Sequence, residues 1–190
     1  RDSSTSRGLG DVYKRQLRFR LSVEGSTQMD VTITTTPELV LVGHAARVPL
    51  IHEGANPHIQ AHIASIAPEE HLRLKAMSDA EPGGILAVTG DVAPDAPEGT
   101  ELTYLHGVSV SASTVVPDDL DAIRVEAGAW AVFSASGPFP ETLQTLWAAT
   151  ATEWFPSNPW RLRPGPSIVR YLEFTGSHAS CELWLAVEPA

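Results

Sequence analysis

The segment 127–160, AGAWAVFSASGPFPETLQTLWAATATEWFPSNPW, constrains the fold more than any other part of the chain. It reads as strand, turn, amphipathic helix and aromatic helix exit without a break. Ala129 to Ala135 is short, apolar and aromatic, which predicts a strand ending in a Gly137-Pro138 turn. Pro138 and Pro140 suit the first turn of a helix, where an N–H would lack a partner in any case. Beyond them Leu143, Leu146, Trp147, Ala151 and Trp154 fall on one helical stripe, while Glu141, Gln144, Thr145, Ala148 and Thr152 lie largely off it. Pro156 and Ser157-Asn158-Pro159 stop the helix after Phe155.

The rest of the chain follows the same grammar. The predicted order is strand 31–48, helix 58–66 continuing beyond Pro68, strands 85–91 and 102–113, then strand 122–135, helix 141–155 and strands 166–174 and 180–187. This is strand-helix-strand-strand, twice. It predicts an α+β fold of duplicated β-α-β-β units, forming one antiparallel-sheet domain with two main helices. Asn56-Pro57 supplies the N-cap and first turn of the first helix, whose Ile59, Ile63 and Ile66 make a narrow apolar stripe. Pro117-Asp118-Asp119 connects the halves, about 31–113 and 121–188. Where two such halves pack side by side a central cleft remains, a common place for a small-molecule site.

Residues 1–28 stand apart from this pattern. Asp11-Val12-Tyr13-Lys14-Arg15-Gln16 can be spelled gat-gtg-tat-aag-aga-cag, which resembles the end of a transposase adapter used in sequencing libraries. Residues 1–16 therefore read as assembly debris, 1–28 as artefact and disordered tail, and 29–190 as the domain, with Met29 as a start. Six basic and three acidic residues precede Met29, so the formal charge of −10 becomes about −13 for the remainder, seven basic against twenty acidic. A body so acidic has no basic stripe with which to neutralise phosphates, which argues against direct nucleic-acid binding and against anionic membranes. No apolar run is long enough to span a bilayer. The single cysteine, Cys181, excludes an internal disulfide framework, fits a cytoplasmic location and reads as a small core residue.

Several stretches together resemble the GyrI-like or AraC-type effector-binding domains. These are Ala127-Gly128-Ala129-Trp130-Ala131-Val132-Phe133, Gly137, Glu153-Trp154-Phe155-Pro156-Ser157 and Cys181-Glu182-Leu183-Trp184-Leu185. Pro37 to Gly43 and Tyr104 to Val110 are weaker echoes, and the set covers about residues 31–188 in the family's order. The resemblance implies that the cleft is a ligand pocket recognising hydrophobic cationic compounds through a glutamate. Relatives carry that glutamate two positions before a tyrosine; here the tyrosine is Tyr171 and the position is Val169.

Strand alternation selects the candidate pocket residues. Cys181, Leu183, Leu185 and Val187 form an apolar face that should pack under a helix, leaving Glu182 and Trp184 on the other. Val169, Tyr171 and Glu173 should share a face, as should Tyr104, His106, Val108 and Val110. Trp130 and Trp160 complete the ligand-binding set of Glu182, Trp184, Tyr171, Glu173, Tyr104, His106, Trp130 and Trp160. An aromatic box holding a poorly solvated carboxylate attracts a lipophilic cation by ring quadrupole and by charge.

Other signals are weak. His58 and His62 are spaced to share a helix face but lack the HExxH pattern, so no metal is expected. Ser134 and Ser136 near Gly137 do not form a G-x-S-x-G elbow. Gly83-Gly84 is no phosphate loop, and no cofactor is expected. The leading expectation is a stand-alone domain that senses or sequesters hydrophobic, cationic small molecules. One alternative is hydrolysis of cyclopropane-containing genotoxins, with Glu182 or Glu173 as general base. Another is a protein-interaction role such as topoisomerase inhibition, with an unknown protein partner.

Overall fold

The computed structural model describes residues 29–190, so the reading of residues 1–28 lies outside the described part. The elements are β1 (Asp30–Thr36), β2 (Leu39–Pro49), α1 (Pro57–Ser65), α2 (Pro68–Met77), β3 (Leu86–Gly90), β4 (Glu101–Ser111) and β5 (Asp121–Val125). They continue with β6 (Gly128–Pro138), α3 (Glu141–Ala149), a π-helical turn over Thr150–Trp154, α4 (Phe155–Ser157), β7 (Trp160–Leu162), β8 (Ser167–Phe174) and β9 (His178–Pro189). The nine strands form one antiparallel sheet in the order β1-β6-β9-β8-β3-β4-β2-β5, with β7 added beside β9.

That order is its own mirror image when β1 is exchanged with β5, β2 with β6, β3 with β8 and β4 with β9. The chain is therefore an α+β duplication about a pseudo-twofold axis through the central β3–β8 pair. Each half lends its first strand to the other: β1 pairs with β6, and β5 pairs with β2.

This exchange corrects one expectation twice. The predicted strands 31–48 and 122–135 are each two strands, broken at Pro37-Glu38 and at Glu126-Ala127. Pro37 has no N–H for the ladder, and the breaks are where the chain crosses between half-sheets. Alternation runs through both pieces because both stay in a sheet; only the partners change.

In the first helical region Asn56 accepts hydrogen bonds from the backbone N–H groups of His58 and Ile59 at 3.0 and 3.4 Å. The helix ends at Ser65 ahead of Pro68, which begins α2. In the second region Leu146, Ala149, Thr150 and Trp154 are buried, whereas Ala151 is exposed. The wider π turn rotates the stripe by about one position beyond Ala149, which brings Thr150 inward and turns Ala151 out.

The two sheet faces are buried in different ways. On the helix face Ala131, Phe133, Val169, Cys181, Leu183, Leu185 and Val187 pack against Leu146 and Trp154, as alternation predicts for the Cys181 face. Val40, Val42, Val108 and Val110 pack against Leu74 of α2. Among the described residues no helix lies on the opposite face, yet Leu41, Leu105, Trp130 and Ile168 on it are fully buried. The sheet itself must close over them. Accordingly one cluster draws Leu39, Leu41 and Val125 from one end of the strand order, and Trp130, Val132, Trp184 and Ala186 from the other.

Candidate functional site

The centre of the helix face is set by the register of four strands. Val169 lies opposite Ala87, Ala87 opposite His106, and His106 opposite His44, so these side chains form one row across the junction of the halves. Ala87 packs against both the apolar cluster beneath α3 and the one beneath α1. It is nevertheless only half-buried, although its strand is central. Its small side chain lies between the parts of the sheet on which α1 and α3 pack, and we take this half-exposed strip between the helices as a groove.

Two tyrosines flank that row. Tyr104, opposite Thr89, stands on one side, and Tyr171, two residues beyond Val169, on the other. Burial, with the Tyr171 phenol nearby, holds Tyr104 well above the usual phenol range. Burial likewise pushes Tyr171 up to about 12. Both phenols are therefore neutral hydrogen-bonding groups at physiological pH. Half-buried Ile59, His62 and Ile63 of α1 form one wall, and half-buried Leu143 and Trp147 of α3 the other. His62 meets Tyr104 edge-on at 6.0 Å between ring centroids. At one end Phe139, Tyr171 and Phe174 form an aromatic trio with centroids 5.0 to 6.0 Å apart.

Over the groove the amide of Gln144 on α3 closes on the backbone of Gly54. Its Nε2 donates to the Gly54 carbonyl at 2.9 Å, and the Gly54 N–H donates to its Oε1 at 3.4 Å. This is a direct polar link between the two halves at the groove mouth.

The sequence-selected residues divide between the faces. Tyr104, His106 and Tyr171 are brought together on the helix face, and Trp160 packs into the apolar cluster on that side. Glu182, Trp184 and Trp130 lie on the closed face. Trp130 is fully buried, donates from Nε1 to Thr36 Oγ1 at 2.9 Å, and carries the Arg163 guanidinium 5.2 Å from its ring centroid. The Trp130 and Trp184 rings meet at 6.1 Å. Trp184 donates from Nε1 to Glu182 at 3.0 Å, and Arg170 reaches the same carboxylate at 3.7 Å. Trp184 is thus packed in the apolar cluster of that face, and Glu182 beside it is half-buried.

Glu173 also departs from simple alternation. The register shifts between Tyr171 and Glu173, so that Tyr171 opposes Cys181 whereas Glu173 opposes Ser180. The extra residue of a β-bulge reverses the phase. Phe174, opposite Ala179, takes the place beside Tyr171, and Glu173 is exposed on the other face. Phe139 and Phe174 were legible only as hydrophobic residues; the bulge that places Phe174 leaves no mark in composition.

Behind the groove stands a histidine cluster that sequence reasoning did not assemble. His106 Nε2 and His71 Nδ1 share a hydrogen bond of 3.0 Å. His44 pairs with Glu70 at 3.0 Å, Arg73 links Glu70 to Asp119, and His62 Nε2 donates to the His44 carbonyl at 2.9 Å. Burial first, then the neighbouring His71, His62 and His44, pushes His106 down to about 4. His58, one helical turn before His62, is exposed, and no metal-holding group of side chains occurs among the described residues. Ser136 and His178 meet at 3.1 Å, but both are exposed and the serine also bonds Ser180 at 2.7 Å. Cys181 is buried, and burial, then nearby Glu182, raises its thiol above the usual range.

A duplicated, strand-exchanged sheet with an aromatic groove at the junction of its halves has the architecture of a small-molecule binding domain. The model of the GyrI-like small molecule binding domain matches residues 29–188, and the chain belongs to that family. The fold is similar to that of SAV2435 bound to tetraphenylphosphonium, at 18% identity and TM-score 0.58, covering 83% of this chain and 93% of that one. It is also similar to a Staphylococcus aureus MU50 protein, at 19% identity and TM-score 0.53, covering 84% and 99% of the two chains. The EcmrR C-terminal domain matches at 14% identity and TM-score 0.56, covering 85% and 99%. None of the curated proteins matches the chain by sequence. No helix of the described residues is long and apolar enough to cross a membrane.

Proposed function

We propose that the helix-face groove takes up hydrophobic aromatic compounds, lipophilic cations among them, and that the protein senses or sequesters them without chemical turnover. The observation that carries this reading is the half-buried Ala87 at the centre of the sheet, between Tyr104 and Tyr171 and walled by α1 and α3. Ring faces there attract a cation by their quadrupole. Val169 occupies the floor position where the family resemblance implies a glutamate, and Glu182 is engaged by Arg170 and Trp184 on the other face. Binding here therefore rests on aromatic contact and apolar burial more than on a carboxylate, and the same placement disfavours Glu182 as a general base. The likeness to SAV2435, which holds tetraphenylphosphonium, supports the ligand class.

The test is the melting temperature of a chain beginning at Met29, with and without tetraphenylphosphonium and neutral triphenylphosphine oxide. A ligand at about a hundred times its Kd adds ~2.7 kcal/mol, which for a domain of this size is a rise of roughly 5–10 °C. Tyr171→Leu should weaken cation binding by about three- to tenfold, the loss of one ring face. Absence of a shift with every compound in such a panel would sink the reading.

A further inference from the structure

Of the four histidines on the helix face, His62 stands in the groove wall and His106 in its floor. His106 sits in the floor row directly opposite Ala87, and its ring is held by His71 Nδ1 at 3.0 Å. The two rings lie nearly perpendicular, with centroids 4.8 Å apart. His106 is 7% exposed, whereas His71 is half-buried on α2 with access to water. A bond between two imidazole nitrogens needs one hydrogen and one lone pair. It therefore survives with the pair neutral or singly charged, and breaks when both rings are charged.

Resting on the groove reading above, we infer that the His71–His106 pair is a charge filter for the ligand: neutral, it admits a cationic aromatic compound, and singly protonated, it weakens the binding of one. Single protonation of the pair keeps this hydrogen bond and places a positive charge just behind the groove floor. The groups facing the pair are His44 of β2, His62 of α1, Glu70 and Arg73 of α2, Tyr104 of β4 and Tyr171 of β8, with Asp119 beyond Arg73. Glu70, next to His71 in the chain, is engaged by His44 and Arg73. Two like charges about 10 Å apart, in surroundings of effective dielectric near 20, weaken binding by roughly tenfold.

The affinity of tetraphenylphosphonium, a cation that does not titrate, is measured by calorimetry from about pH 8 to about pH 5.5, the range over which histidines change charge. Triphenylphosphine oxide serves as the neutral comparison. The expected result is a fall of roughly tenfold for the cation and none for the oxide, with the fall abolished in His71→Gln. Gln keeps a hydrogen bond to His106 but takes no proton. If His71→Gln is poorly folded by circular dichroism, His71→Asn, which likewise takes no proton, provides the same comparison. A flat profile for a cation that does bind overturns the inference and leaves the groove reading intact, as does a slope that persists in the folded variants. Failure of both compounds to bind at any pH removes the groove reading and the inference with it.

Discussion

At the scale of single residues the buried imidazole of His106 ties stability to pH. Its folded value, pushed down to about 4, lies below the value near 6.5 at which the unfolded chain takes the proton. Between the two the unfolded chain binds more protons, so stability is full above about pH 6.5 and is lost as the pH falls towards 4. The shift corresponds to at most ~3 kcal/mol. Urea denaturation at pH 7 and at pH 5 should show this loss in the parent chain, and His106→Gln should reduce the difference between the two pH values. An unchanged difference would place the acid sensitivity elsewhere. Residue types alone did not disclose this. His106 was visible as a candidate on a buried face, but its partner His71 is on another element, and only packing joins them.

At the scale of elements the groove is bounded by two helices held unequally. α3 and the turn after it bury Leu146, Ala149, Thr150 and Trp154, with Trp154 edge-on to Phe133 at 5.0 Å. α1 has no fully buried residue, its Ile59 and Ile63 being half-buried. The link from Gly54 to Gln144 therefore fastens the less firmly seated side to the firmer one, through hydrogen bonds worth about 1 kcal/mol each. Gln144→Ala should raise ligand dissociation rates by roughly three- to tenfold with little change in melting temperature. Stopped-flow displacement followed by tryptophan fluorescence measures this, and equal rates would show that the link does not guard the mouth. In the sequence Gln144 was simply a polar residue off the helical stripe. Its role depends on a loop ninety positions away in the chain.

For the whole molecule the decisive fact is strand exchange. Because β1 completes the sheet of the second half and β5 that of the first, each half alone lacks an outer strand and exposes the β3 or β8 edge. The buried face that closes on itself also needs both ends of the sheet. Fragments 29–116 and 117–190 should each be unfolded or aggregated when expressed alone, and should recover a cooperative thermal transition when mixed. A cooperative transition in either isolated fragment would contradict this.

The sequence by itself determined the elements and their repetition. Local alternation, prolines and capping residues such as Asn56 act within a few positions and are written there. It also placed Tyr104 and His106 on one face of a strand, where both are buried. The tertiary structure decided which faces meet. A bulge after Tyr171 turns Glu173 away and sets Phe174 beside Tyr171, and the other face of the sheet buries Trp184 and Trp130 with Glu182 half-buried beside them. Period-two alternation says that two sets of side chains lie on opposite faces. Register, bulges and curvature decide what covers each face, and these depend on strands far apart in the chain.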